Sequence, residues 1–345
     1  MDNLAHTLVG AALGQAGLKR KTGLGMATLM IAANLPDIDA FGLLIGENLA
    51  WRRGWTHGPI ALVLLPLLLA FAMVAFDKWQ ARRSNIGRGT RPEARLPVRF
   101  GWVLALGYIG ILSHPLLDFL NTYGIRCLMP FSERWFYGDA LFIIDIWMWL
   151  TLAVGVWWSR RKERQGAQTT GRPALAALVL VAAYAGAMGI GSAVAERFVT
   201  QDVAARGLGT PQRVVASPVP LDPFRRRIVY DMGKAYGFGD LRFVPALNFT
   251  PEAGLTPTNM DDPAVQRAAR QNKAFADFLY WSRLPFVEVK RGPVATEVVL
   301  GDARYNRLPG DGRFTVRAIL PGPAEALPAR TPTAQAARPA ASLTE

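Results

Sequence analysis

Residues 100–119 read FGWVLALGYIGILSHPLLDF. The stretch from Phe100 to Leu117 carries no formal charge, and about 18 residues at a rise of 1.5 Å each span a bilayer core. The run nevertheless closes on an imidazole and a carboxylate. His114 and Asp118 are one helical turn apart and share a face. Ionisable groups at the end of a membrane helix are costly and usually mark function.

The rest of the chain extends this reading. Further apolar runs lie at 59–76, 140–158 (with Asp145 inside) and 173–195, and two weaker ones at 4–18 and 22–46, the latter interrupted by Asp37 and Asp39. The expectation is a polytopic all-α membrane domain of about six segments over residues 1–195, with the first pair re-entrant as the alternative. A secretory signal peptide needs a basic region ahead of its apolar core, and only Asp2 stands there. The single cysteine, Cys127, excludes an internal disulfide and a multi-cysteine metal motif.

Lys and Arg concentrate on the cytoplasmic side of membrane proteins. One set of alternate connections holds Lys19, Arg20, Lys21, Lys78, Arg82, Arg83, Arg88, Arg91, Arg95, Arg99, Arg160, Arg161, Lys162, Arg164 and Arg172. The other holds Arg52, Arg53, Arg126 and Arg134. The bias predicts a multi-pass membrane protein with the first set in the cytoplasm and both termini outside. The net charge of +13 is explained in large part by this topology, so no nucleic-acid partner is expected.

With that alternation, the polar residues fall at one depth, the outer boundary. They are His6, Asp37 and Asp39, His57, His114 and Asp118, and Asp139 and Asp145. Three His and several Asp suit a borderline divalent cation, zinc first, with manganese or iron as alternatives. Each residue alone has a plainer reading. A helix-end His is more often an interfacial group, Asp37 and Asp39 after Pro36 suit a helix break, and Asp145 suits a partner on a neighbouring helix. The convergence favours a shared metal site. Arg52, Arg53 and Arg126 lie on the same side, where guanidinium groups suit a phosphate or carboxylate, or simply snorkel. No His-Glu-x-x-His occurs, which removes that metalloprotease signature.

The series Leu4-Ala-His6-Thr, Ala33-Asn-Leu-Pro-Asp37-Ile-Asp39, Arg53-Gly-Trp-Thr-His57, Ser113-His114-Pro-Leu-Leu-Asp118-Phe-Leu-Asn121-Thr-Tyr-Gly124 and Phe142-Ile-Ile-Asp145 resembles the YdjM-type family of inner-membrane, metal-dependent hydrolases. A looser likeness continues at Trp281-Ser-Arg-Leu-Pro and Asp302-Ala-Arg-Tyr305. More distantly, the order of ligands is similar to the zinc-dependent phospholipase C and P1 nuclease group. The resemblance implies one metal held by Asp37 or Asp39, His57, His114 and Asp118, and a second held by His6 with a bridging Asp118 as the larger alternative. It implies Asn121 and Asp145 as residues supporting the ligands, and hydrolysis of a lipid or lipid-linked ester or phosphoester. The Asp37/Asp39 carboxylate that is not a ligand would orient or deprotonate water. This chain departs from the family at Arg52, often His, and at Gly58, commonly Ser. The downstream His and Glu ligands of the soluble phospholipases have no counterpart. A non-catalytic membrane scaffold or binding protein with a structural metal is the rival reading; membrane lipids are the expected partners, and protein partners stay open.

Beyond residue 195 the pattern changes. Pro218 to Pro223 read as a linker. Period-two runs at Arg227–Tyr230, Phe286–Lys290, Val294–Leu300 and Phe314–Ile319 predict strands, and Val265–Trp281 an amphipathic helix. The expectation over 196–320 is a small soluble α+β domain outside the membrane, structural or lid-like, with no His. A Pro- and Ala-rich disordered tail is expected over 321–345.

Overall fold

The computed structural model of the chain describes residues 1–45, 48–85, 92, 94–312 and 314–321. Arg88, Arg91 and the tail expected after Pro321 lie outside them. The helical half comprises α1 (Asn3–Gln15), a 3-10 turn (Leu18–Lys21), α2 (Gly25–Ala32), a 3-10 helix (Leu35–Ile45), α3 (Asn48–Trp51), α4 (Pro59–Asn85), α5 (Phe100–Phe119), α6 (Ile146–Arg164) and α7 (Arg172–Ala205). Among the described residues, three helical stretches are long and apolar enough to cross a membrane: Pro59–Ser84, Phe100–Phe119 and Arg172–Ala205. Val63, Leu64, Leu68 and Phe71 on α4 are exposed, as lipid-facing residues are.

The other three expected segments take a different form. Pro36 removes a backbone donor and disfavours an α conformation before it, and α2 stops at Ala32. A 3-10 helix then carries Asp37 and Asp39, so 22–46 is a broken element. α1, at 13 residues, is about 20 Å long. α6 begins at Ile146 rather than 140, because the amides of Ala140 and Leu141 both donate to the Leu120 carbonyl (2.8 and 2.9 Å). Asp145 then caps α6, accepting from the Met148 amide at 2.9 Å.

Small residues bring α1, α2 and α5 together. A Cβ at Gly10 would lie 2.7 Å from the Leu29 carbonyl oxygen, and one at Gly110 2.5 Å from the Ala32 Cβ. His6 is one turn before Gly10 and His114 one turn after Gly110, so these two close approaches set the meeting of the imidazoles. The bundle has two chemically distinct ends. At one, Lys19 pairs with Glu163 (2.5 Å), the Gly23 amide donates to the Pro97 carbonyl (3.0 Å) and Arg20 meets Thr170. At the other lie His6, Asp37, His57, His114 and Asp118.

α7 continues unbroken through residue 195, and its Ala195, Val199 and Val203 pack under Val214, Ala216, Ile228 and Tyr230. The two halves therefore share this helix. Past it come β1 (Arg213–Val219), β2 (Asp222–Asp231), β3 (Ala235–Arg242), β4 (Asn248–Pro251), β5 (Thr256–Pro257), α8 (Pro263–Gln271), α9 (Lys273–Trp281), β6 (Pro285–Arg291), β7 (Ala295–Asp302) and β8 (Thr315–Pro321). The strands form an antiparallel sheet in the order β1-β2-β3-β4, with β5 also on β3, and a second sheet β6-β7-β8. Val215, Val229, Phe238, Leu284 and Phe286 form one apolar cluster of this region. Residues 218–223 are not a linker: they end β1, turn and open β2, with Pro218 opposite Arg226. The single helix expected over 265–281 is divided at Asn272, which ends α8 in an extended conformation and caps α9 by accepting from the Phe275 amide.

Candidate metal centre

His114 is completely buried, and its Nδ1 lies 2.7 Å from the Ala33 carbonyl oxygen. A carbonyl only accepts, so Nδ1 carries the proton and Nε2 presents a lone pair. His57, also buried, has its Nδ1 2.9 Å from Thr56 Oγ1, and that hydroxyl donates to Asp39 Oδ2 at 3.3 Å. The hydroxyl's proton is thereby engaged, so His57 Nδ1 is the donor and its Nε2 is likewise a free lone pair. The two Nε2 atoms face each other across 3.1 Å. That arrangement repels unless a cation sits against both. Two nitrogens each about 2.0–2.1 Å from a tetrahedral zinc stand about 3.3–3.4 Å apart, so the spacing fits.

Carboxylates close the cluster. Asp118 Oδ2 is 3.4 Å from His57 Nε2 and 3.5 Å from His114 Nε2. Asp37 Oδ1 is 3.8 Å from His114 Nε2, and Asp37 Oδ2 is buried without a hydrogen-bond partner among the described residues. One ligand atom from each of Asp37, His57, His114 and Asp118 lies within 4.8 Å of the others, and all four residues are buried. These residues, with two imidazoles, two carboxylates and an orphaned oxygen, fit a divalent cation.

His6 stacks on His114, ring centroids 3.8 Å apart at 15°. Its Nε2 lies 3.4 Å from Asp118 Oδ1, and neither of its nitrogens has a hydrogen-bond partner among the described residues. The Met1 amino group also contacts Asp118 Oδ1.

Asp39 sits beside the cluster with both oxygens occupied. Oδ1 accepts from Arg52 Nη1 (2.7 Å) and Oδ2 from the Arg53 amide (2.6 Å). Arg52 Nη1 also reaches Asp37 Oδ1 at 3.1 Å. Arg53, with a left-handed φ of 52°, a strained conformation for a bulky residue, turns its amide to Asp39 while its Nε lies 3.0 Å from Asp118 Oδ2. Asn121 Oδ1 accepts from Arg53 Nη1 at 3.0 Å. Arg126, 3% exposed, donates to the Arg52 carbonyl and lies over the Trp135 ring. Arg53 and Arg126 are thus buried among protein groups, whereas the Arg52 side chain is 21% exposed.

Asp139 and Asp145 do not join the cluster. Asp139 pairs with Arg283 at 2.6 Å. Asp145 caps α6 and accepts from the Tyr184 hydroxyl at 3.1 Å. Thr56 and the Ala33 carbonyl set the two tautomers, and no sequence pattern singles either of them out. Thr56 stands inside the quoted Arg53-Gly-Trp-Thr-His57 motif, but a hydroxyl beside a histidine is too common to signal its role.

Two cavities flank the cluster. One, of about 1040 Å³, is lined by Ile38, Asp39, Phe41, Gly42, Trp51, Trp55 and Thr56, among which Ile38, Phe41, Trp51 and Trp55 are exposed apolar side chains. The other, of about 440 Å³, lies between the two halves and includes Arg52, Arg53, Tyr123, Phe278 and Phe314.

The protein called uncharacterized protein YfhP from Bacillus subtilis (strain 168) is 24% identical over 172 residues, 46% of this chain and 47% of that protein. The chain thus spans about half the length of that relative. No solved structure matches. Residues 1–195, more than half of the sequence and including the whole candidate metal cluster, match the YdjM inner membrane protein family, and the chain belongs to that family.

Proposed function

We propose that this protein is a membrane-embedded metal-dependent hydrolase acting on an ester or phosphoester of a lipid or lipid-linked amphiphile. The observation that carries the reading is the buried group Asp37, His57, His114 and Asp118 with its ligand atoms within 4.8 Å. Two imidazoles favour zinc over the hard cations, with manganese and iron as the alternatives. One ion is proposed, and His6 offers a further nitrogen on the Asp118 Oδ1 side. A divalent cation there supplies Lewis acidity and water acidified to a pKa of about 7.

The chain's own residues do the rest. Asp37, with an unpartnered oxygen, is the ligand of the Asp pair. Asp39 acts through Thr56 on His57, the carboxylate-to-histidine support that orients metal ligands. It also anchors the strained Arg53 amide. Arg53 neutralises Asp118, and the partly exposed Arg52 is the guanidinium available to an anionic head group. The apolar cavity bordered by Trp51, Trp55 and Phe41 suits the tail of an amphiphile, and its wall reaches Asp39 and Thr56. We read the opposite, basic end of the bundle as cytoplasmic, and on that reading the site lies at the outer face of the inner membrane.

Full burial of four ligands also suits a closed structural metal, the reading of a scaffold or binding protein. Metal analysis of purified protein, followed by turnover of a panel of lipid phosphoesters and esters with and without chelator, separates the two. Stoichiometric metal and chelator-sensitive turnover are expected, both lost in His114→Ala. Metal without turnover on any substrate would leave the scaffold, and no metal would remove both.

A further inference from the structure

The family match ends at residue 195, yet groups from residues 281–305 grip the loop that follows α5. Asp302, completely buried, accepts from Ser282 Oγ (2.6 Å), the Arg283 amide (3.0 Å), and the amide, Nε and Nη2 of Arg304 (2.9, 2.9 and 2.8 Å). So fixed, Arg304 donates from Nη1 to the Thr122 carbonyl at 2.6 Å. Trp281 Nε1 donates to the next carbonyl, that of Tyr123, at 3.3 Å, and the two rings lie 4.9 Å apart.

On its other side the same loop holds Arg53. The Tyr123 ring lies 4.7 Å from the Arg53 guanidinium carbon. Asn121 Oδ1 and the Gly124 carbonyl both accept from Arg53 Nη1, at 3.0 and 3.2 Å. Arg53 in turn meets Asp118 Oδ2. A continuous line of charge-assisted and stacking contacts therefore runs from Asp302 to the carboxylate of the metal group.

We propose that the C-terminal domain positions the metal centre: Arg304, locked by Asp302, and Trp281 clamp residues 121–124, and that loop holds Arg53 against Asp118. Arg304 and Trp281 are positioning residues that touch no ligand. The link to metal rests on the reading above, whereas the mechanical coupling does not. Residues behind a ligand typically change metal affinity about 10–100-fold.

The test uses the full-length protein in detergent. Amide exchange over 51–57 and 121–126 is measured without metal, and Zn²⁺ affinity and the visible spectrum of the Co²⁺-loaded protein are measured with it. The variants are Arg304→Gln, Arg304→Lys, Trp281→Phe, Asn121→Ala and, as control, Arg225→Gln, whose pair with Asp240 lies in the same domain away from the loop. Arg304→Gln is expected to speed exchange in both segments, weaken metal about 10–100-fold and shift the Co²⁺ spectrum, with Arg304→Lys and Trp281→Phe intermediate and the control unchanged. Asn121→Ala, which leaves the C-terminal domain intact, should reproduce the effect, and the double variant with Arg304→Gln should be non-additive. Unchanged exchange over 51–57 in Arg304→Gln overturns the coupling, whatever Asn121→Ala does. A wild type that binds neither metal removes the metal reading alone, and the exchange experiment still decides the coupling.

Discussion

Two carboxylates two positions apart, Asp37 and Asp39, lead different lives because Pro36 forces them onto a 3-10 turn. On that turn Asp37 keeps Oδ2 unpartnered, while Asp39 is filled by Arg52, the Arg53 amide and Thr56. A ligand must have a lone pair to give, so Asp37→Asn is expected to lower metal occupancy sharply. Asp39→Asn removes the anionic acceptor of three donors and loosens His57, and is expected to keep most of the metal while turnover falls about 10²-fold or more, the scale on which catalytic hydrogen bonding acts. Metal content and kcat of the two purified variants check this, and a pair of variants losing metal equally would refute the division of roles. Thr56→Val should resemble Asp39→Asn in direction, since it cuts the bridge from Asp39 to His57.

Among the elements, the loop of residues 126–131 packs so tightly on the start of α4 that a Cβ at Gly58 would sit 1.9 Å from the Met129 carbonyl oxygen. Backbone cannot yield as a flexible side chain does, so Gly58→Ser must displace either the loop or His57 next to it. Overpacking of this kind costs about 1–3 kcal/mol. The expected outcome is a lower thermal midpoint together with weaker metal binding, and a stable Gly58→Ser protein with normal metal affinity would show that this contact does not set His57. The elements also explain what could be read in advance. His114 and Asp118 lie within one helix, where 3.6 residues per turn dictates their shared face, so their pairing was legible. The start of α6 was legible too in principle, since Asp145 ahead of an apolar run is an N-cap signal, but the apolar run 140–144 outweighed it. Asp139 shares the level of the cluster yet turns to Arg283, 144 residues away in sequence, and no local pattern announces such a partner. Strand β3, AYGFGDLR, is not legible in the sequence because its glycines break the alternation that marks a strand. The Pro218–Pro223 stretch misled because proline there marks a strand edge and a turn.

For the molecule as a whole, the two ends of the bundle differ in charge, and the C-terminal domain grows from α7 at the end that carries the histidines. The basic end should face the cytoplasm, so reporter fusions after Gly171 are expected to report cytoplasm and fusions after Asn121 or Thr210 the outer side; a cytoplasmic signal after Thr210 would place the site on the other face. Asp302 makes the C-terminal domain acid-sensitive in a defined direction. Burial alone pushes the Asp302 carboxyl up, but Arg304 and the Ser282 hydroxyl outweigh it and hold the group below the usual carboxylate range. A carboxyl whose folded pKa is depressed contributes stability that is fully present above its unfolded value, about 3.9, and is lost as pH falls through the folded value. Asp302→Asn leaves Arg304 buried and unpaired, at a cost of about 3–5 kcal/mol at neutral pH. The expected result, from denaturant unfolding followed by tryptophan fluorescence, is a wild type whose stability declines below about pH 4 and a variant that starts lower and declines less steeply there. Parallel curves for the two proteins across that range would mean that the Asp302–Arg304 pair does not govern the acid response of the domain.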